Sequence, residues 1–255
     1  MPSDDLYASL CMYDFPALRP AQDAWWAGLA GHFLASGLGN VPRSLGRSVA
    51  DPYAVWLAPN LFFAQTCGYP LTHRLAGKVH LLGTPCYDAP GCQGASYRSL
   101  YIVRSDAKVS SLAMALAGRV AINAKDSFSG WRVLSGLIDP ASTLVISGSH
   151  AKSIDLVRQG DADIAAIDCV SHALLGDVEP ERLAGTCVIE QSPLAPGLPY
   201  ITGAGMGPQE VRAMIEAINN AFADAELAPA RKTLRLAGFK VVALSDYIRL
   251  MTKNQ

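Results

Sequence analysis

The sequence predicts an α/β protein of two lobes joined by two crossing segments, and three observations carry that prediction. Strand-like and helix-like segments alternate along the whole chain, which argues for layers built around a mainly parallel sheet. Two stretches read as crossings, Tyr101–Ser105 and Ser192-Pro-Leu-Ala-Pro-Gly-Leu-Pro199. The second is stiff and extended because prolines dominate it. Two crossings make one lobe an insertion in the other, so residues 1–102 and 197–255 form the first lobe and 103–196 the second. Finally, 255 residues of which 50% are hydrophobic suffice for real cores, since a chain this long hides roughly 70–75% of its extended surface on folding.

Composition narrows the function. Charged residues make up 17%, and 21 Lys+Arg against 22 Asp+Glu leave a net charge of −1. That excludes a disordered tail and a protein that tracks nucleic-acid phosphates by a basic excess. The apolar stretches break well short of the ~20 residues a membrane-spanning helix needs. The start, Met1-Pro-Ser-Asp-Asp5, is acidic and lacks the basic-then-apolar pattern of a secretory signal. Either the chain is cytoplasmic as it stands or a leader has been removed.

Leu6–Leu10 reads as the first strand and Met12–Pro16 as the loop leaving it. Pro20 opens a helix in which Trp25, Leu29 and Phe33 form one i+4 column and Trp26, Ala30 and Leu34 the next, a broad apolar face. The paired tryptophans are read as core rather than as a cofactor-stacking pair. Ala54–Gln65 reads as a short helix, stopped at Thr66-Cys-Gly-Tyr-Pro70. Val79–Leu82 and Ser99–Val103 are strands, Leu112–Leu116 a helix and Val120–Asn123 a strand. Trp131–Ile138 is helical, Thr143–Ser147 a strand, Ser153–Gln159 a helix, Ile164–Ile167 a buried strand, Val170–Leu175 a helical turn or two, and Cys187–Glu190 a strand. Helices Gln209–Asp224 and Ala228–Leu236, a strand Val241–Ala243 and a helix Asp246–Met251, with Ser245 as N-cap, complete the chain.

The strongest chemical signal is Val120-Ala-Ile-Asn-Ala-Lys-Asp-Ser-Phe-Ser-Gly130, a strand running through small hydroxyl residues into a helix. A helix start offers unpaired N–H groups and the positive dipole end, so Ser127 and Ser129 can complete an anion cradle, with Gly130 letting the backbone approach. Plain N-capping is the competing reading. A second junction, Ile146-Ser-Gly-Ser-His150, adds hydroxyls and an imidazole at another helix start, and a third, Ala165-Ala-Ile-Asp168, ends a buried strand with a carboxylate. Successive β-α junctions share the sheet edge where ligands bind in α/β folds. Weaker patterns are set aside. Gly203-Ala-Gly-Met-Gly207 lacks the context of a dinucleotide fingerprint. Cys67 with His73 is an unsupported nucleophile–base pair, and Cys67, His73, His80, Cys86 and Cys92 match no zinc spacing. Six cysteines leave the compartment open; Cys86 and Cys92 bracket a turn and are candidates for a bridge if the protein is exported.

With Met12-Tyr-Asp14, Gln65-Thr-Cys-Gly-Tyr-Pro70, Ser96-Tyr-Arg-Ser99, Asp126-Ser-Phe-Ser-Gly130, Gly148-Ser-His150 and Asp161-Ala-Asp-Ile-Ala-Ala-Ile-Asp168 in this order, the chain resembles the phosphate/phosphonate-type substrate-binding proteins of ABC transporters, a branch of the type II periplasmic-binding-protein fold. The resemblance implies two α/β lobes, each a mixed sheet flanked by helices, clamping a small anionic or zwitterionic ligand in a cleft between them. It assigns the phosphonate or phosphate oxygens to Ser127, Ser129 and His150, with Gly130 and Ser149 in the same turns. Phe128 stands where the common pattern has Thr, so one hydroxyl donor is lost and an aromatic face gained. Asp168 would meet the other end of the ligand, Tyr13, Tyr69 and Tyr97 would contribute from first-lobe loops, and Thr66 and Ser99 are further ligand-binding candidates. The implied partners are that ligand and a membrane permease, for a monomer, with no nucleic acid, cofactor, metal or catalytic residue. The implied location is periplasmic. The alternative is an enzyme on the same two-lobe fold, acting on a vitamin-precursor-like substrate through Cys67 or His150.

Overall fold

The computed structural model describes residues 6–47, 51–109 and 111–252; the acidic start Met1–Asp5 lies outside the described residues. In chain order the strands are β1 (Tyr7–Ser9), β2 (Leu61–Gln65), β3 (Val79–Tyr87), β4 (Ser96–Tyr97), β5 (Ser99–Arg104), β6 (Arg119–Ile122), β7 (Thr143–Ile146), β8 (Ile164–Asp168), β9 (Thr186–Gln191), β10 (Ala195–Pro196), β11 (Tyr200–Gly203) and β12 (Leu236–Lys240). The chain divides into two compact units, Met1–Asp88 with Pro196–Tyr247, and Ala89–Ala195 with Ile248–Gln255. Among the described residues, no helix is long and apolar enough to cross a membrane.

The first unit has a five-stranded sheet in the order β1-β2-β11-β3-β12. Only β1 and β2 run parallel; β11 is antiparallel to β2 and β3, and β12 to β3. The sheet is mixed, not mainly parallel. The helix Arg19–Ala35 buries Trp25, Leu29 and Phe33 completely, as the first column predicts. In the second column Trp26 is buried but Leu34 is 58% exposed, so the apolar face is narrower than expected. Trp26 packs its indole against Phe33, Phe62 and Phe63 at centroid distances of 5.7–6.4 Å. The tryptophans are core.

Two sequence expectations fail in this unit. Ala54–Gln65 is not one helix. Asp51 caps a short helix, Pro52–Trp56, by accepting from Tyr53 N at 3.0 Å; the chain turns at Pro59, and Leu61–Gln65 is a strand buried on both faces. A short apolar run has no periodicity to tell strand from helix, and Pro59 was the decisive breaker. Toward the C-terminus the helix stops at Thr233, Arg235 adopts φ +55°, and the strand is Leu236–Lys240 rather than Val241–Ala243. The last helix, Leu244–Thr252, includes Ser245, which is therefore not its N-cap.

The second unit has a sheet in the order β7-β6-β8-β5-β9. β7, β6 and β8 are parallel, whereas β5 is antiparallel to β8 and β9. The segment read as the first crossing is thus an interior strand with Leu100, Tyr101, Ile102 and Val103 buried. An apolar run of this kind pairs on both sides, which a bare connection would not. The change of unit falls at Asp88/Ala89, so Tyr97 and Ser99 belong to the second unit rather than to the first lobe. Val120, Ile122, Ile164, Leu134 and Tyr101 form its core. Trp131–Ile138 is not a continuous helix: a π-type turn, Phe128–Arg132, leads into the single helical turn Val133–Ser135.

Candidate functional site

The parallel strands β7, β6 and β8 deliver their carboxyl ends side by side. Their pairing continues past the strands, because Ser147 N donates to Ile122 O at 2.8 Å and Gly148 N to Asn123 O at 3.0 Å. The three β-α junctions read from the sequence therefore meet at one edge of the second unit. Ser129 Oγ lies 3.0 Å from His150 Nε2, and Asp168 Oδ2 lies 3.3 Å from the same nitrogen. All three side chains are largely buried.

Each junction is also a cap. Ser127 Oγ accepts from Gly130 N at 3.0 Å, Ser149 Oγ from Lys152 N at 3.2 Å, and Asp168 Oδ1 from Ser171 N at 2.8 Å. Capping and ligand readings do not exclude each other, because a hydroxyl that accepts a backbone proton keeps its own to give. His150 Nε2 faces two oxygens, one of them a carboxylate, so this nitrogen is assigned the proton. Ser129 Oγ then accepts from it and is left with a free O–H. Burial pushes the His150 imidazole below its ordinary value of 6.5, against the opposing pull of Asp168 and the Ala166 backbone.

Gly130 is required where it stands. A Cβ there would lie 1.9 Å from Asn123 Oδ1 and 3.3 Å from His150 Cε1. Asn123 Oδ1 and His150 Nδ1 are buried without a hydrogen-bond partner. The turn itself is unusual: Arg132 N donates to Ser127 O, five residues back, at 3.1 Å. Such π-type turns recur at functional sites. Phe128 within it is buried.

The remaining sequence candidates distribute as follows. Asp168 is engaged inside its own unit, with Ser171 N and Oγ on its two oxygens and His150 beside it. Tyr97 is buried in β4, and Ser99 N donates to Ser192 Oγ at 2.9 Å while its residue stands opposite Asp168 in the β5–β8 register. In the first unit, β1 leads to Tyr13 and β2 to Thr66 and Tyr69. Tyr13 meets Tyr87 edge to face at 5.4 Å. Gln65 Nε2 donates to Tyr87 Oη and to Leu198 O, each at 3.1 Å. Thr66 Oγ1 is fully buried with no hydrogen-bond partner. Tyr69 stacks on His73 at 3.9 Å.

Asn123, Ser171, Gln65 and Tyr87 were not among the sequence candidates. Asn123 ends the strand read as Val120–Asn123 and follows directly on the observed one, Arg119–Ile122, and Gln65 sits inside a quoted motif, so position was a usable signal for both. Tyr87 looked like part of a turn because β3 is longer than its predicted end at Leu82.

The side chains around His150 and His73 are arranged as follows. Ser129 and Asp168 approach one nitrogen of His150, whereas activation of a serine needs the nucleophile and the orienting acid on opposite nitrogens. His73 Nδ1 is occupied by Thr72 Oγ1 at 2.9 Å and Tyr69 O at 3.0 Å. Among the described residues no three His, Cys, Asp or Glu gather as for a metal ion.

A model of the family described as "ABC transporter, phosphonate, periplasmic substrate-binding protein" matches residues 60–247. Among solved structures, the chain is similar to a binding protein component of an ABC phosphonate transporter from Pseudomonas aeruginosa, with 18% identity over 97% of this chain and 85% of that one and a TM-score of 0.77. It is similar to PhnD1 from Prochlorococcus marinus in complex with methylphosphonate, with 12% identity over 98% of each chain and a TM-score of 0.75. A Xanthomonas citri protein bound to ATP shows 15% identity over 99% and 98% of the two chains, at a TM-score of 0.75. At these identities the likeness establishes the fold, that of the two-lobe periplasmic binding proteins. No curated protein matches the chain.

Proposed function

We propose that this chain, which belongs to the family of periplasmic substrate-binding proteins of phosphonate ABC transporters and is a solute-binding protein, takes a small ligand bearing a phosphonate or phosphate-ester head. The observation that carries this reading is the donor network of the second unit. Ser127, Ser129 and Ser149 each accept one proton and keep one to give, and His150 stands among them at a helix start. Such a cluster suits an anion with several acceptor oxygens and nothing to donate. Phe128, in place of a hydroxyl residue, supports a preference for a head carrying an organic substituent over bare inorganic phosphate. With Asp168 nearby, a ligand that also carries a cationic group is favoured over a bare polyanion.

In this reading Tyr13, Thr66 and Tyr69 of the first unit, and Tyr97 and Ser99 of the second, complete the ligand's surroundings, and the two lobes close on it by a hinge motion. The protein acts as a monomer in the periplasm and hands its ligand to a membrane permease. The family is one of transporter-binding proteins rather than enzymes.

Calorimetric titration with methylphosphonate, an aminoalkylphosphonate, inorganic phosphate and ATP tests the ligand class. Tightest binding of one of the two phosphonates is expected, with a smaller radius of gyration by small-angle scattering in its presence. Binding of none of the four, or steady conversion of any into product, overturns the proposal.

A further inference from the structure

Cys92 and Cys169 bring their sulfurs to 3.5 Å although 76 residues of chain separate them. The contact is built rather than incidental. Cys169 is the first residue of a ten-residue helix, Cys169–Val178, and its N–H donates to Arg98 O at 3.0 Å, which ties the segment carrying Cys92 to the helix start. Cys92 N closes a turn onto Ala89 O at 2.9 Å. Between them Gly91 adopts φ +99°, and a Cβ there would stand 3.1 Å from Cys169 Cβ and 3.3 Å from its sulfur. The loop is packed onto Cys169 as closely as a glycine allows.

We propose that Cys92 and Cys169 form a reversible disulfide, made by exchange with a disulfide oxidant. Cys92 is partly exposed and Cys169 is buried, which orders the steps. Cys92 attacks the oxidant RSSR, forming the mixed disulfide Cys92–S–SR and releasing RSH. The Cys169 sulfur then attacks the Cys92 sulfur, expelling the second RSH and leaving the Cys92–Cys169 bond; two thiols are oxidised and one external disulfide is reduced. Cys169 suits the second role. The hydrogen bond from Cys92 pulls its thiol below the ordinary value, although burial opposes this, and the same contact pushes Cys92 up. A helix start favours a thiolate in the same sense. Bond formation draws the two sulfurs from 3.5 Å to about 2.05 Å. The sequence had pointed instead to Cys86 with Cys92; the neighbouring sulfur of Cys92 is that of Cys169. Since Cys169 follows directly on Asp168, the bond anchors the first turn of the helix that Asp168 caps.

The test is to treat the whole native protein with oxidised glutathione, unfold it in N-ethylmaleimide, and count labels by intact mass. Four labelled thiols are expected out of the six cysteines, with peptide mapping joining Cys92 to Cys169. The oxidised protein should melt about 5–15 °C above the protein reduced with dithiothreitol, because a bond closing so long a loop constrains the unfolded chain. Cys92→Ser, a change at the partly exposed partner, should fold and show no redox-dependent melting shift. Six labelled thiols, a lasting glutathione adduct on Cys92, a bond through Cys86 or the exposed Cys187, or equal melting of both redox states would each overturn the proposal.

Discussion

The sheet of the first unit contains one parallel pair, β1 with β2, while that of the second contains two, β7 with β6 and β6 with β8. The difference sets what each unit can present. A run of parallel strands sends every carboxyl end to one edge, and each strand leaves that edge through a helix start with unpaired N–H groups. Three such ends place Ser129 and Asp168 at 3.0 and 3.3 Å from the same His150 nitrogen. Two ends in the first unit yield Tyr13, Thr66 and Tyr69, more ring surface and fewer donors. The second unit is accordingly the one that can offer an anionic head several donors, and the first unit the richer in ring surface.

Substitution can break that comparison in graded steps. The largest effect is expected at Ser129→Ala. Hydrogen bonds to a charged group contribute roughly 1.5–3 kcal/mol each, so affinity for the phosphonate that binds should fall about ten- to a hundredfold in calorimetry; unchanged affinity would move the head group out of the second unit. Gly130→Ala comes next. Its methyl meets Asn123 Oδ1 at 1.9 Å, and displacing that buried side chain should cost about 1–3 kcal/mol of stability, read from urea unfolding.

The third step uses pH. Because the folded His150 titrates below 6.5, its contribution to stability is fully present above about that pH and is lost as pH falls toward its folded value. The melting temperature of the free protein should therefore drop as pH falls below about 6.5, and His150→Gln should blunt that drop. Thr66→Val probes the other side of the comparison. Removing a buried hydroxyl without a partner should leave the free protein equally or more stable, yet weaken binding several-fold if that hydroxyl meets the ligand. The smallest change is expected for Cys67→Ser, which should leave affinity within about twofold and lower the melting point slightly, as loss of a buried thiol does.

The second unit was also the more legible in sequence, for a related reason. Its junctions carry local signatures: a strand, then Ser or Asp, then a helix, which side-chain capping chemistry makes readable without tertiary knowledge. The three-way meeting of Ser129, His150 and Asp168 followed from parallel order alone. What stayed hidden was non-local. Nothing local marks Leu100–Val103 as an interior strand paired on both sides, and reading it as a crossing put Tyr97 and Ser99 in the wrong unit. Leu61–Gln65 was hidden because complete burial erases alternation. Tyr87 and Gln65 meet only through the pairing of sheet neighbours far apart in sequence.

The five-residue turn Phe128–Arg132 makes chain length at this point a determinant of where Ser129 points. A π-type turn holds one residue more than an α-helical turn, so deleting one would let the segment relax into an ordinary helix. At 3.6 residues per turn that relaxation rotates everything before it by about 100°. Ser129 would swing away from His150, and a different side chain would take its place facing the imidazole. A single-codon gain or loss here would thus re-aim the side chains of the turn while leaving their identities otherwise intact.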